Sequence, residues 1–240
     1  MNRPVITVDA LRKAMADAAG LPLKERRQAA RTLGHIASEL GRADALKTPG
    51  DLDLAIEALA LGASAHTYPQ KFQTMRSKLM AARRAALGLA DPEIAQEVAK
   101  TLDIEFGGLF VADARVDFAD LLDGALHKAL NRTGSYFVGF GGDGAIKVRL
   151  RVHSAGPCEP QSAEFRKLRE ATPEARLSCP GGRVQAHGGG RKRLDVDIPA
   201  GEWHIAAFGL GMGRRPECLV LVSPSDGLAK PLQDTPELLI

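Results

Sequence analysis

The apolar pattern of this chain changes period once, and the change limits what the chain can fold into. From residue 7 to about 102, apolar residues recur every three or four positions, as on amphipathic helices. From about 109 onward they alternate with polar residues, as on half-buried strands. The 240 residues also exceed the roughly 100–150 of a common single-core domain. The expectation is an α+β chain of two domains: a helical bundle over 1–105, then a β-rich, sandwich-like domain with helical inserts over 106–240.

Five helices are predicted in the first part. Thr7 can cap one over 7–19 that buries Val8, Leu11, Met15 and Ala18. A second over 24–40 buries Ala29, Ala30, Leu33, Ile36, Ala37 and Leu40 and stops at Gly41. A third over about 51–61 follows the breaker Thr48-Pro49-Gly50, and a fourth, from about 69 to Gly88, carries Phe72, Met75, Leu79 and Leu87 inward. Asp91-Pro92-Glu93 reads as a cap followed by proline at the first helical position, opening a fifth helix through Leu102.

Strands are predicted over 109–112, 136–140, 145–152, 175–179, 183–186, 193–198, 203–208 and 218–222. Within 145–152, Lys147, Arg149 and Arg151 alternate with Ile146, Val148, Leu150 and Val152, so one face of that strand is basic and the other apolar. Helical inserts are expected over 118–130 and about 163–171, and the proline-punctuated tail 224–240 is expected to lie loosely on the surface. A weak internal echo relates the strands led by Gly108 and Gly134 to those led by Gly182 and Gly201, as duplicated halves of a sandwich would.

Composition excludes several classes. With 45% hydrophobic and 25% charged residues, the chain matches neither a disordered nor a fibrous protein. No run approaches the roughly 20 apolar residues of a membrane helix, and charges within the first apolar stretch argue against a secretory leader. Cys158, Cys179 and Cys218 are too widely spaced for a disulfide framework or a CxxC metal site, which points to the cytosol.

The glycine-rich segment 139–144 resembles a nucleotide loop, but a strand follows it instead of a helix whose N-terminus would meet phosphates. A hairpin turn accounts for it better. Asp113, Asp117, Asp120 and Asp123 are close enough to gather around a hard cation, yet Asp120 and Asp123 fall on the polar face of the insert over 118–130, where carboxylates are usually solvated. Cys179, His187 and His204 could meet as a thiolate and base, although no nucleophile motif surrounds them. The chain is therefore read as non-catalytic, without cofactor or metal.

Charge is the strongest local signal. Net charge is only +3, so attraction to nucleic acid must come from clustering. Lys71, Arg76, Lys78, Arg83 and Arg84 lie together with no acid among them, and the second helix adds Lys24, Arg26, Arg27 and Arg31 against Glu25 alone. Paired basic helices of this kind clamp phosphate backbones, and they also occur as plain solvated faces.

At these helices the chain resembles a known family. Leu40-Gly41-Arg42, the proline-marked link and helix over 49–61, and Phe72 to Leu79 with its Arg76-Ser77 step are similar to the helical core-binding domain of tyrosine recombinases, over about residues 20–90. The resemblance implies a domain that embraces double-stranded DNA through its backbone. It does not extend to the chemistry: the family's His-x-x-Arg is absent, the tyrosines are only Tyr68 and Tyr136, and the half that follows is β-rich. That half, through 134–152 and 198–208, faintly resembles β-rich immunity or inhibitor domains encoded beside bacterial toxins.

Two readings lead, ahead of a third in which the chain is an enzyme built around Cys179, His187 and His204. In the first, a non-catalytic protein of a mobile element or defence system binds DNA through Arg26, Arg27, Arg31, Lys71, Arg76, Lys78, Arg83 and Arg84, and binds a partner through its β half. In the second, the chain is an immunity or inhibitor protein whose Lys147, Arg149 and Arg151 seat on an acidic protein toxin or nuclease.

Overall fold

The computed structural model describes residues 6–41, 46, 48–65, 70–116, 134–211, 217–225 and 237–238. The expected insert over 118–130, with Asp117, Asp120 and Asp123, lies outside the described residues. So do the side chains of Lys24, Arg26, Arg27 and Lys71. The chain divides into two compact units, Met1–Asp91 and Pro92–Ile240.

Among the described residues the first unit holds four helices, α1 (Val8–Ala19), α2 (Leu23–Leu40), α3 (Pro49–Ala65) and α4 (Gln70–Ala86). Thr7 caps α1, its Oγ1 accepting from the N–H of Ala10 at 3.2 Å. Pro49 opens α3, where its missing N–H costs nothing. Leu11, Leu33, Ala37, Leu40, Leu52, Ala55, Ala58, Leu59, Phe72 and Leu79 form one core. α3 packs against both α2 and α4, which is why its small residues Ala55 and Ala58 are wholly buried. A Cβ on Gly41 would sit 2.8 Å from the sulfur of Met75, so the residue that ends α2 also lets α4 approach.

The second unit is a β-sandwich. Its first sheet runs β1 (Ile94–Ile104), β4 (Gly144–His153), β10 (Glu217–Pro224), β9 (Gly201–Leu210) and β5 (Leu168–Ala171), with β6 (Ala175–Cys179) also pairing with β9. Its second runs β11 (Glu237–Leu238), β3 (Tyr136–Phe140), β2 (Gly108–Asp113), β7 (Arg183–His187) and β8 (Arg193–Asp197). Inward residues of both sheets, among them Leu102, Leu109, Val138, Val148, Leu150, Leu177, Val196, Ile205 and Val220, make one core, as period-2 alternation requires. β5 and β6 pair in turn along one edge of β9, and Thr172-Pro173 marks the break between them. There the Thr172 hydroxyl accepts from the Ala207 N–H at 2.8 Å and lies 2.5 Å from the Tyr136 hydroxyl, which satisfies the buried polar groups.

Four expectations need correction. Residues 94–104 form a strand, not a fifth helix, because they pair with β4 over its whole length and seat Leu102 and Ile104 in the sandwich core. Helix propensity is a weak, local preference that such long-range pairing overrides. Residues 163–171 hold a short 3₁₀ turn, Phe165–Lys167, and then β5. The tail contributes β11, which runs parallel to β3 and buries Leu238 completely. The internal echo does not survive as topology, since β3 lies beside β2 while β9 lies in the other sheet from β7.

Candidate functional site

The basic helical face is smaller than the charge count suggested. Arg83 donates through Nε to Asp53 on the neighbouring helix. Arg84 is buried, its Nη1 donating to Asp91 at 3.2 Å, so it is a structural cation and is withdrawn from a phosphate-contacting face. Arg76 is half-buried, and its Nε is enclosed with no hydrogen-bond partner among the described residues. Ser77, from the motif that suggested a recombinase, packs inside. Arg31 and Lys78 are exposed.

The basic strand is likewise committed internally, which corrects the expectation of a free cationic face. On β4, Arg149 donates to Glu217 at 2.5 Å and to Glu164 at 2.7 Å, and Arg151 donates through both Nη atoms to Glu164 at 2.7 Å and through Nε to Glu97. Lys147, more exposed, reaches Glu217 at 3.3 Å. Strand pairing explains the geometry: Glu97 stands opposite Arg151 across β1–β4, and Glu217 opposite Lys147 across β4–β10. Glu164 comes from the segment between β4 and β5, where Gln161 N–H also donates to it at 2.9 Å. Burial alone would raise the Glu164 carboxyl, but the two guanidiniums and that amide outweigh it and hold its pKa at about 2.

Cys179, His187 and His204 are not brought together. Cys179 points into the core, and burial with the nearby Asp113 carboxylate pushes its thiol up to about 11. His204 is on the opposite face of its sheet from the core residues Trp203 and Ile205, and pairs with Glu174. His187 belongs to the other sheet, where its Nδ1 accepts from the Gly189 N–H at 2.9 Å and burial, then the Arg193 cation, lower its pKa. Asp113 is buried and accepts from the N–H groups of Arg115 and Gly181 and from the Arg115 guanidinium. Burial opposes ionisation, yet those bonds prevail and lower its pKa. A Cβ on Gly181 would come within 2.6 Å of this carboxylate, so the glycine is required for the contact. Among the described residues no group of three or more His, Cys, Asp or Glu is placed to hold a metal.

Sequence reading missed the feature that stands out most. Among the described residues β1 is the end strand of its sheet, and residues 94–97 and 99–101 are exposed. Its last residues are closed off, since Ile104 bridges Gly189 and Glu105 N–H donates to the Gly188 carbonyl at 2.5 Å. Next comes Phe106, 57% exposed and at φ 59°, with Gly107 at φ 66°. Two successive positive φ values belong to a type I′ turn, where Asn, Asp or Gly is normal and a bulky aromatic costs on the order of 1–2 kcal/mol. Gly107 satisfies the turn, its N–H donating to Asp143 at 2.7 Å. The signal was present as a phenylalanine ahead of two glycines between apolar runs.

No protein-family model matches the chain, and no curated protein matches it. Two solved structures are similar in part. ComJ from Bacillus subtilis, described as an inhibitor of the DNA degrading activity of NucA, is 11% identical, with a TM-score of 0.38 over 56% of this chain and 98% of its own. Crocagin biosynthetic gene J is 12% identical, with a TM-score of 0.43 over 54% of this chain and 97% of its own. Among the described residues no helix is long and apolar enough to cross a membrane.

Proposed function

We propose that this chain is a non-catalytic binding protein that acts on a protein partner through its β unit, in the manner of an inhibitor or immunity protein. The observation that carries the reading is Phe106. A large aromatic side chain is held in solvent at a backbone position that disfavours it, just past the end of β1. Strain persists where a function needs it, and exposed aromatics anchor protein interfaces. DNA-backbone binding has less support, because Arg83 and Arg84 are engaged within their own unit.

A photoreactive benzoylphenylalanine at position 106, in cells that make the chain, tests the reading. It should capture one protein in stoichiometric yield, a toxin or nuclease whose activity the purified chain then inhibits. Phe106→Asp should abolish both effects. No captured protein, together with salt-sensitive binding of duplex DNA by the Phe106→Asp chain, would reverse the choice in favour of the helical face.

A further inference from the structure

The open half of β1 supplies the chemistry by which a partner would seat. Alternate residues over 96–101, past the register shift between Ile94 and Gln96, turn their N–H and C=O groups toward β4, and the others turn them to the other side. Another extended chain matches that repeat of donors and acceptors.

The side chains along the edge narrow the choice. On the outer face Glu97 is bound by Arg149 and Arg151, and Asp103 by Lys192, so the acids there are matched internally. The other face carries Val98 and Leu102, which pack on the core, and between them Lys100. Lys100 is exposed and has no ion-pair partner among the described residues. A strand laid along the edge would cover it. Covering an unpaired ammonium is costly, so a strand lacking a carboxylate on that face is penalised. A second copy of this chain is such a strand. Two-fold antiparallel pairing brings residues of the same face together, and that face of β1 holds Gln96, Val98, Lys100, Leu102 and Ile104, without an acid. Lys100 thus blocks self-pairing while it selects an acidic guest.

We infer that the edge of β1 over 96–101 receives an extended strand of a protein partner, with a carboxylate of that strand facing Lys100. This deepens, and rests on, the protein-binding reading above.

The test uses the full chain and fluorescein-labelled ten-residue peptides of alternating Thr and Val, with Glu, Gln or Lys replacing the central Val. Anisotropy should rank Glu above Gln above Lys, with at least tenfold between the extremes. Lys100→Glu should reverse the order at unchanged Tm. Equal affinities, no binding by any peptide, or an order unmoved by Lys100→Glu would overturn strand addition. A partner still crosslinked at position 106 in the Lys100→Glu chain overturns strand addition alone. No crosslink at 106 with the edge unaltered overturns the reading beneath it.

Discussion

Glu164→Gln isolates what the buried ion network contributes, because it keeps the shape of the side chain and removes its charge. Glu164 is 14% exposed and accepts three guanidinium hydrogen bonds at 2.7 Å. The fall of its pKa from 4.5 to about 2, at about 1.4 kcal/mol per tenfold, corresponds to about 3 kcal/mol of preference for the carboxylate in the folded state. Arg149 and Arg151 keep Glu97, and Arg149 keeps Glu217, so part of the network survives and about 1–3 kcal/mol should be lost at pH 7. For a unit of this size that is a fall in Tm of about 2–10 °C. The chain's single tryptophan, Trp203, is buried in the sandwich core and reports on this unit by fluorescence. A carboxyl whose folded pKa is depressed stabilises fully above its unfolded value, and that stability is lost as pH falls through the folded value. The gap in Tm between parent and variant should therefore be full at pH 7 and close between about pH 4.5 and 2. A variant within about 1 °C of the parent at pH 7, or a gap of the same size at pH 2.5, would refute the assignment.

Replacing Phe106 with Asn should raise the stability of the β unit by about 1 kcal/mol in denaturant unfolding, since Asn tolerates a positive φ, while partner binding is lost. Destabilisation would show that the ring packs more than it strains. Thr172→Val removes a hydroxyl that bonds Ala207 and Tyr136 and should cost about 1–3 kcal/mol by the same measurement; a cost below about 0.5 would mean that these bonds do not hold the strand break. In the helical unit, Arg84→Ala should lower stability by more than 1 kcal/mol and exposed Lys78→Ala by about 0.5 or less, read by far-UV circular dichroism. Equal effects would contradict the burial of Arg84.

Much of the architecture was legible from period and punctuation. Thr7 and Pro49 mark helix starts through their own hydroxyl and backbone chemistry, and the alternation over 145–152 marks β4 with its apolar face inward. These are local signals, and they hold because the physics behind them involves neighbours in sequence. Residues 94–104 carried no such signal: the first eight are exposed on both faces apart from the half-buried Val98, so little alternation is visible, and Asp-Pro-Glu imitated a helix start. Only pairing with β4, about fifty residues away in sequence, made them a strand.

The candidate site follows the same division. A count of Lys and Arg found the cations, but whether a cation is free depends on what folds against it. Glu97 and Glu217 reach β4 through strand register, and Glu164 through the segment that follows β4. Lys100 and Phe106 drew no notice as letters, because their significance lies in an edge that no strand among the described residues pairs and in a φ of 59°, which arise only when the sheet is assembled. The sequence by itself determined the two textures and the faces of the long strands, since both follow from the spacing of apolar residues. Tertiary structure decided which charges are spent and which remain available, because ion pairing depends on distance in space and not on order along the chain.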